Sequence, residues 1–173
     1  MKPGAGKGKG GEYERQIAGK ISLWLSNGER NDLLCRTVSS GAQWTTGKRG
    51  HPADLRAQDT PLAFEFCSKY AIECKHWRDI GILLLMRRKG ELFTALQKVR
   101  DEAFQTSKPG WWLVVRQNHQ PDMLFTGSRE LVEEDLKPQA LFPEYHTLFS
   151  GIVHIYYLDE FLDRVNPVRY VLI

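Results

Sequence analysis

Tyr70-Ala71-Ile72-Glu73-Cys74-Lys75 is an apolar run with an acid and a lysine set two residues apart inside it. Successive side chains on a strand point to opposite faces, so Glu73 and Lys75 project together while Ile72 and Cys74 face the other way. A carboxylate suited to a divalent ion then stands beside a fixed cation. Phosphodiester hydrolysis needs both groups close together, one to hold the ion and the other to steady a hydroxide nucleophile or a developing negative charge. Asp54 upstream and Glu14 earlier still offer further acids for such a site.

Outward from this strand, the preceding chain reads as helix, strand, loop, strand. Tyr13, Ile17, Ile21 and Trp24 recur at helical spacing from Glu12 to about Leu25, and Ser26-Asn27-Gly28 supplies the stop. Glu14 falls in line with Ala18, Ile21 and Leu25, at the edge of the apolar stripe. Met1 to Gly10 alternates Gly and Lys and predicts a flexible basic arm, residues 1–11, outside the helix. Leu33 to Val38 predicts a strand, and Ser39-Ser40-Gly41 opens a loop bearing Trp44, Thr45, Thr46, Lys48, Arg49 and His51. Cations and an aromatic ring on one loop suit phosphate contact and base stacking. Pro52-Ala53-Asp54-Leu55 enters a second strand, and a turn at Asp59-Thr60-Pro61 leads through Phe64 to Phe66 as a connecting segment.

Beyond the key strand, Ile80 to Met86 reads as buried helix or strand, with helix preferred. Leu92, Leu96, Val99 and Ala103 predict an amphipathic helix ending before Lys108-Pro109-Gly110. Trp111 to Val115 predicts an apolar strand with Met123 to Phe125 as its neighbour. Arg129 to Leu136 reads as a short helix, Ile152 to Tyr157 as a strand and Leu158 to Arg164 as a helix.

At 173 residues the chain fits one domain able to bury a core without disulfide or metal staples. The net charge of +3 hides an asymmetry: residues 1 to 56 hold 10 Lys/Arg against 5 Asp/Glu, residues 75 to 100 hold 7 against 2, and residues 101 to 173 hold 6 against 11. The basic blocks flank the proposed site, as a polyanionic partner requires. The longest apolar run is too short to cross a bilayer, and the N-terminus lacks the apolar core of a signal peptide, so a cytoplasmic setting is expected. Cys35, Cys67 and Cys74 form an odd set without Cys-x-x-Cys spacing and read as free thiols. The five histidines are too scattered for a zinc site, and neither a Walker pattern nor a nucleophile elbow is present.

The ordered set Glu14-Arg15, Cys35-Arg36, Ser39-Ser40-Gly41, Asp54-Leu55 and Ile72-Glu73-Cys74-Lys75, followed by a helix and the strand at Trp111, resembles the PD-(D/E)xK nuclease superfamily. Within it, the chain looks most like Holliday-junction resolvases of the archaeal type and their phage relatives, over about residues 9 to 116. The resemblance implies an α/β, restriction-endonuclease-like core with a central mixed β-sheet flanked by helices, spanning about residues 12–116 of a single nuclease domain 12–173. Residues 117–173 are a C-terminal elaboration on this reading. The resemblance further implies a Mg²⁺ or Mn²⁺ cofactor held by Asp54 and Glu73 with Glu14, catalysis by Glu14, Asp54, Glu73 and Lys75, and DNA contact through Arg15, Arg36, Ser40, Trp44, Lys48, Arg49 and His76. A homodimer acting on branched or double-stranded DNA in a prokaryotic cell or phage-infected host follows from the same resemblance, with no organic cofactor and no membrane. Two departures stand out: the loop from Ser39 to Pro52 is longer than the shortest family pattern, and Ala53 separates Pro52 from Asp54.

Other roles compete at each position. The acids and Lys75 could be ion pairs at a sheet surface, Asp59 is an alternative metal acid, Gln97 could face the site, and Trp111-Trp112 reads as core in preference to a stacking platform. A restriction-like or nicking endonuclease on linear duplex, and a non-catalytic DNA-binding accessory protein of the same fold, are the alternative functions.

Overall fold

The computed structural model describes residues 5–37, 53–127 and 153–172. The expected loop from Ser39 to Pro52 and the expected helix from Arg129 to Leu136 lie outside these residues.

Helix α1 (Ala5–Leu25) buries Tyr13, Ile17, Ile21 and Trp24, the residues whose spacing predicts it. It stops at Gly28, which is left-handed at φ 90° and returns its N–H to the Leu23 carbonyl at 2.7 Å. The helix starts at Ala5, so the backbone of residues 5–10 is helical where a flexible arm was expected. Adding a residue to a formed helix costs far less than nucleating one, and the packed turns after Gly11 provide the nucleus.

Strands β1 (Leu34–Arg36) and β2 (Leu55–Ala57) pair antiparallel, Cys35 opposite Arg56. Helix α2 (Pro61–Lys69) follows, a correction to the connecting segment expected at Phe64 to Phe66. The Thr60 hydroxyl accepts the Ala63 N–H at 3.3 Å, and Pro61 occupies the first turn, where its missing N–H is no loss.

The main sheet runs β3 (Tyr70–Trp77), β4 (Gly110–Gln117), β5 (Met123–Thr126), β6 (His154–Tyr157) in spatial order. β3 and β4 are parallel, with Glu73 opposite Leu113 and Lys75 opposite Val115. The remaining pairings are antiparallel. The parallel pair needs a crossover, which α3 (Ile82–Met86) and α4 (Gly90–Gln105) provide. After β6 come α5 (Leu158–Arg164) and α6 (Pro167–Leu172). The sheet is therefore mixed and flanked by helices, as the resemblance implies.

Each sheet face carries its own core. On one, Ile72, Cys74, Trp112, Val114 and Leu124 pack beneath α1, α2, α5 and α6. Trp112 is fully buried there, its indole N–H donating to the Tyr170 hydroxyl at 3.0 Å, so it is core as expected. On the other face, Ala71, Leu113, Val115 and Phe125 meet Ile80, Leu85, Leu92, Leu96 and Val99 from α3, α4 and the segment before them. The C-terminal residues complete the first layer: Trp24 donates to the Val165 carbonyl at 2.7 Å, and buried Asp122 accepts from Tyr13, Lys20 and Arg116. The three cysteines are free, with Cys74 buried. Among the described residues, no helix is long and apolar enough to cross a membrane.

Candidate active site at the edge of the sheet

β3 is an edge strand of the four-stranded sheet, and the chain around Asp54 covers its outer side. The Asp54 N–H donates to the Ile72 carbonyl at 2.8 Å, and its Oδ2 accepts the Cys74 N–H at 2.9 Å. Asp54 also accepts the Thr37 N–H through its own carbonyl at 2.7 Å. One residue thus takes up two backbone groups of the edge strand and ties it to the chain after β1. This fixes Asp54, 5% exposed, beside Glu73, 1% exposed.

The Glu73 and Lys75 side chains share the α4 face of β3, as alternation requires. Lys75 donates to Glu73 Oε1 and lies 3.9 Å from Asp54 Oδ2. A second cation comes from α4: Lys98 donates to the same Glu73 oxygen at 2.8 Å and stands 3.4 Å from Glu102, four residues on. Glu102 is 4% exposed. The site is therefore three buried or nearly buried carboxylates interleaved with two lysines. Among the described residues, Glu73 Oε2 and Glu102 Oε2 are buried without a hydrogen-bond partner.

These neighbours set the charges. Burial, reinforced by Glu73, pushes the Asp54 carboxyl up to about 6 against the pull of Lys75 and the Cys74 N–H. Burial would raise Glu73 as well, but Lys75 and Lys98 outweigh it and hold that carboxyl below its ordinary value. Burial, then Glu73, pushes Glu102 up to about 7. Burial alone would lower both lysines; Glu73 and the other acids more than offset it, so both stay firmly cationic.

Asp54 and Glu73 fit a hard divalent ion by their donor chemistry. Glu73 keeps a buried oxygen for which the described residues offer no hydrogen bond, and Asp54 is a second carboxylate buried beside it, so an ion between them would meet two hard oxygen donors. Among the described residues, no three His, Cys, Asp or Glu side chains gather as a full ligand cage. Two carboxylates suit an ion such as Mg²⁺, which keeps several waters.

The other expected residues are distributed around this centre. Glu14 is paired with Arg36, whose guanidinium lies against Gly11; a Cβ there would meet it at 3.1 Å, so the glycine permits the close approach. Glu14 is near enough to add to the elevation of Asp54. Arg15 is exposed on α1. His76 projects to the other face of β3, 3.0 Å from Asn118 Oδ1 and tilted against the Tyr13 ring. Gln97 is half-buried on α4. Asp59, the alternative metal acid, instead pairs with Arg30 at the surface at 2.7 Å. Ser40, Trp44, Lys48 and Arg49 lie outside the described residues.

Lys98 and Glu102 escape the sequence reading, because an i,i+4 Lys–Glu pair on a helix ordinarily marks a solvated face. The available signal was their position next to the buried stripe, beside Val99 and Ala103.

A family model described as "Phage putative PDDEXK endonuclease" matches residues 5–161 of the chain. No curated protein and no solved structure matches it.

Proposed function

The chain belongs to this phage PDDEXK endonuclease family, and on that premise we propose that it is a divalent-metal-dependent DNA endonuclease acting on branched DNA, the four-way junction above all. The observation that carries the catalytic part is the meeting of Asp54, Glu73 and Lys75 at the edge of β3, with one Glu73 oxygen turned away from both lysines. The junction preference rests on the likeness of the ordered motifs to Holliday-junction resolvases.

Asp54 and Glu73 would hold the ion, which when bound supplies charge to draw in a phosphate oxygen and to acidify a water. Lys75 is anchored between the two acids, where it would offer positive charge to the scissile phosphate and help a water give up its proton. Lys98 brings a second positive charge from the helix side. Glu14 with Arg36 and Arg15 stand at the α1 edge, where they can orient a water or meet the backbone of the substrate. The Ser39–Pro52 loop, with Ser40, Trp44, Lys48 and Arg49, supplies further contact on this reading, as does His76. Cutting two strands across a junction calls for two copies of the site, so a symmetric homodimer accompanies the proposal.

The test is strand-resolved cleavage of a synthetic four-way junction, its matching linear duplex and single strands, with Mg²⁺ or Mn²⁺ and with EDTA. Paired symmetric nicks confined to the junction support the proposal. Equal cutting of all substrates leaves a general nuclease, and binding without cutting under either metal overturns the catalytic reading.

A further inference from the structure

The segment joining β3 to α4 displays apolar side chains where burial is available. Ile80 and Leu85 are buried against the α4 face and Ile82 packs beside them, yet Leu83 is 73% exposed and Leu84 46%. The shape is defined on both sides: Gly81 and Gly90 are left-handed at φ 56° and 88°, and Leu84 lies so close to Gly90 that a Cβ there would meet it at 3.2 Å. The two leucines are thus held outward by an anchored turn of helix. Around them stand Arg78, Arg87, Arg88 and Lys89, all exposed, and among the described residues Arg78, Arg87 and Lys89 make no ion pair.

The distance to the active site suits a polyanion spanning both. From Gly90 to Lys98 the chain climbs α4 by eight residues, about 12 Å at the helical rise. Phosphates along one DNA strand recur every 3.4 Å or so of helix axis, so a length like this climb is one that a few nucleotides can span. An apolar tip flanked by cations on a nuclease is suited to pressing against an exposed or loosened base step while the cations hold the neighbouring phosphates.

We propose that α3 is a DNA-engaging wedge: Leu83, supported by Leu84, packs against bases at an opened step, and Arg87 and Lys89 contact the flanking backbone. The inference rests on the nuclease reading above and adds to it the surface that grips the substrate. The charge of the surrounding residues selects nucleic acid over an apolar protein face as the occupant.

The experiment uses the full chain with Ca²⁺ in place of Mg²⁺, a fluorescent four-way junction and a linear duplex, both bearing 2-aminopurine beside the branch or at the matching step. Arg87→Gln/Lys89→Gln should flatten the slope of log affinity against log salt by about 2, close to one unit for each lost phosphate contact. Leu83→Ser/Leu84→Ser should weaken binding about tenfold with the slope intact, and should abolish the rise in 2-aminopurine emission on binding. All four side chains are exposed, so unchanged melting curves will establish that both variants fold. Cleavage by the wild type in a parallel reaction with Mg²⁺, together with unaltered affinity, slope and emission in the variants, overturns the wedge and leaves the nuclease standing. Loss of self-association in the leucine variant, without loss of DNA binding, assigns the surface to a second copy of the chain and likewise overturns it. Failure of the wild-type protein to bind or cut any DNA overturns both readings.

Discussion

Lys98 on α4 and Lys75 on β3 converge on a single oxygen of Glu73. The β3 lysine is fixed by alternation along its own strand, whereas the helix lysine arrives only because α4 packs across the sheet. One carboxylate therefore reports on both the local and the tertiary construction of the site.

Removing the helix lysine tests its share. Lys98→Met keeps the apolar stem and deletes the charge; kcat should fall about 10- to 100-fold, and stability by about 1 kcal/mol, since Glu73 retains Lys75. Lys98→Arg should restore most of the stability. Single-turnover cleavage and urea denaturation read the two effects, and wild-type kcat in the methionine variant would exclude Lys98 from the chemistry.

Glu73→Gln should reduce cleavage at least about 100-fold. DNA affinity should hold or rise, because the substitution removes a negative charge from between two lysines. Asp54→Asn should match it in cleavage. Titration of labelled duplex beside the cleavage assay separates the quantities, and retained cutting in either variant removes these acids from the site.

The raised Glu102 carboxyl has a signed consequence for stability. Its ordinary value is 4.5 and its folded value about 7, so between these the native state holds a proton that the unfolded chain has released. Its stabilising contribution is complete below about pH 4.5 and lost as pH rises toward 7. Glu73, held low, acts in the opposite sense, so the comparison must be between variants. Metal-free Glu102→Gln should lose less stability than wild type between pH 5 and 7.5; parallel melting-temperature profiles would refute the assignment.

Tyr170→Phe leaves the buried Trp112 indole N–H without the acceptor it uses. The expected loss is about 1 to 3 kcal/mol, with cleavage per folded molecule unchanged because the pair lies on the face away from Glu73. Chemical denaturation with an unaltered midpoint would show that another group accepts the bond.

Strands were legible where burial imposes a pattern. The unbroken apolar run Trp111–Val115 is what a strand covered on both faces requires, and the Ile72–Lys75 alternation sets one apolar face of β3 in the core while Glu73 and Lys75 share the other. Helix α2 was obscured because Phe64 and Phe66 alternate as strand residues do, although Thr60-Pro61 already carried the helix start. Asp54, Glu73 and Lys75 were readable together because two of them share a strand and the third follows the motif order. Lys98 and Glu102 were hidden because their contact with Glu73 depends on how α4 crosses the sheet, which no local spacing encodes.

The bond from Trp24 to Val165 spans 141 residues, and Phe161 and Tyr170 fill the same layer over Trp112. Synthesis therefore delivers the acids and lysines of the site long before the wall behind them can close. A ribosome-bound chain halted before residue 158 would carry the candidate site on an incomplete scaffold, so the proposed activity should appear only once α5 and α6 have emerged.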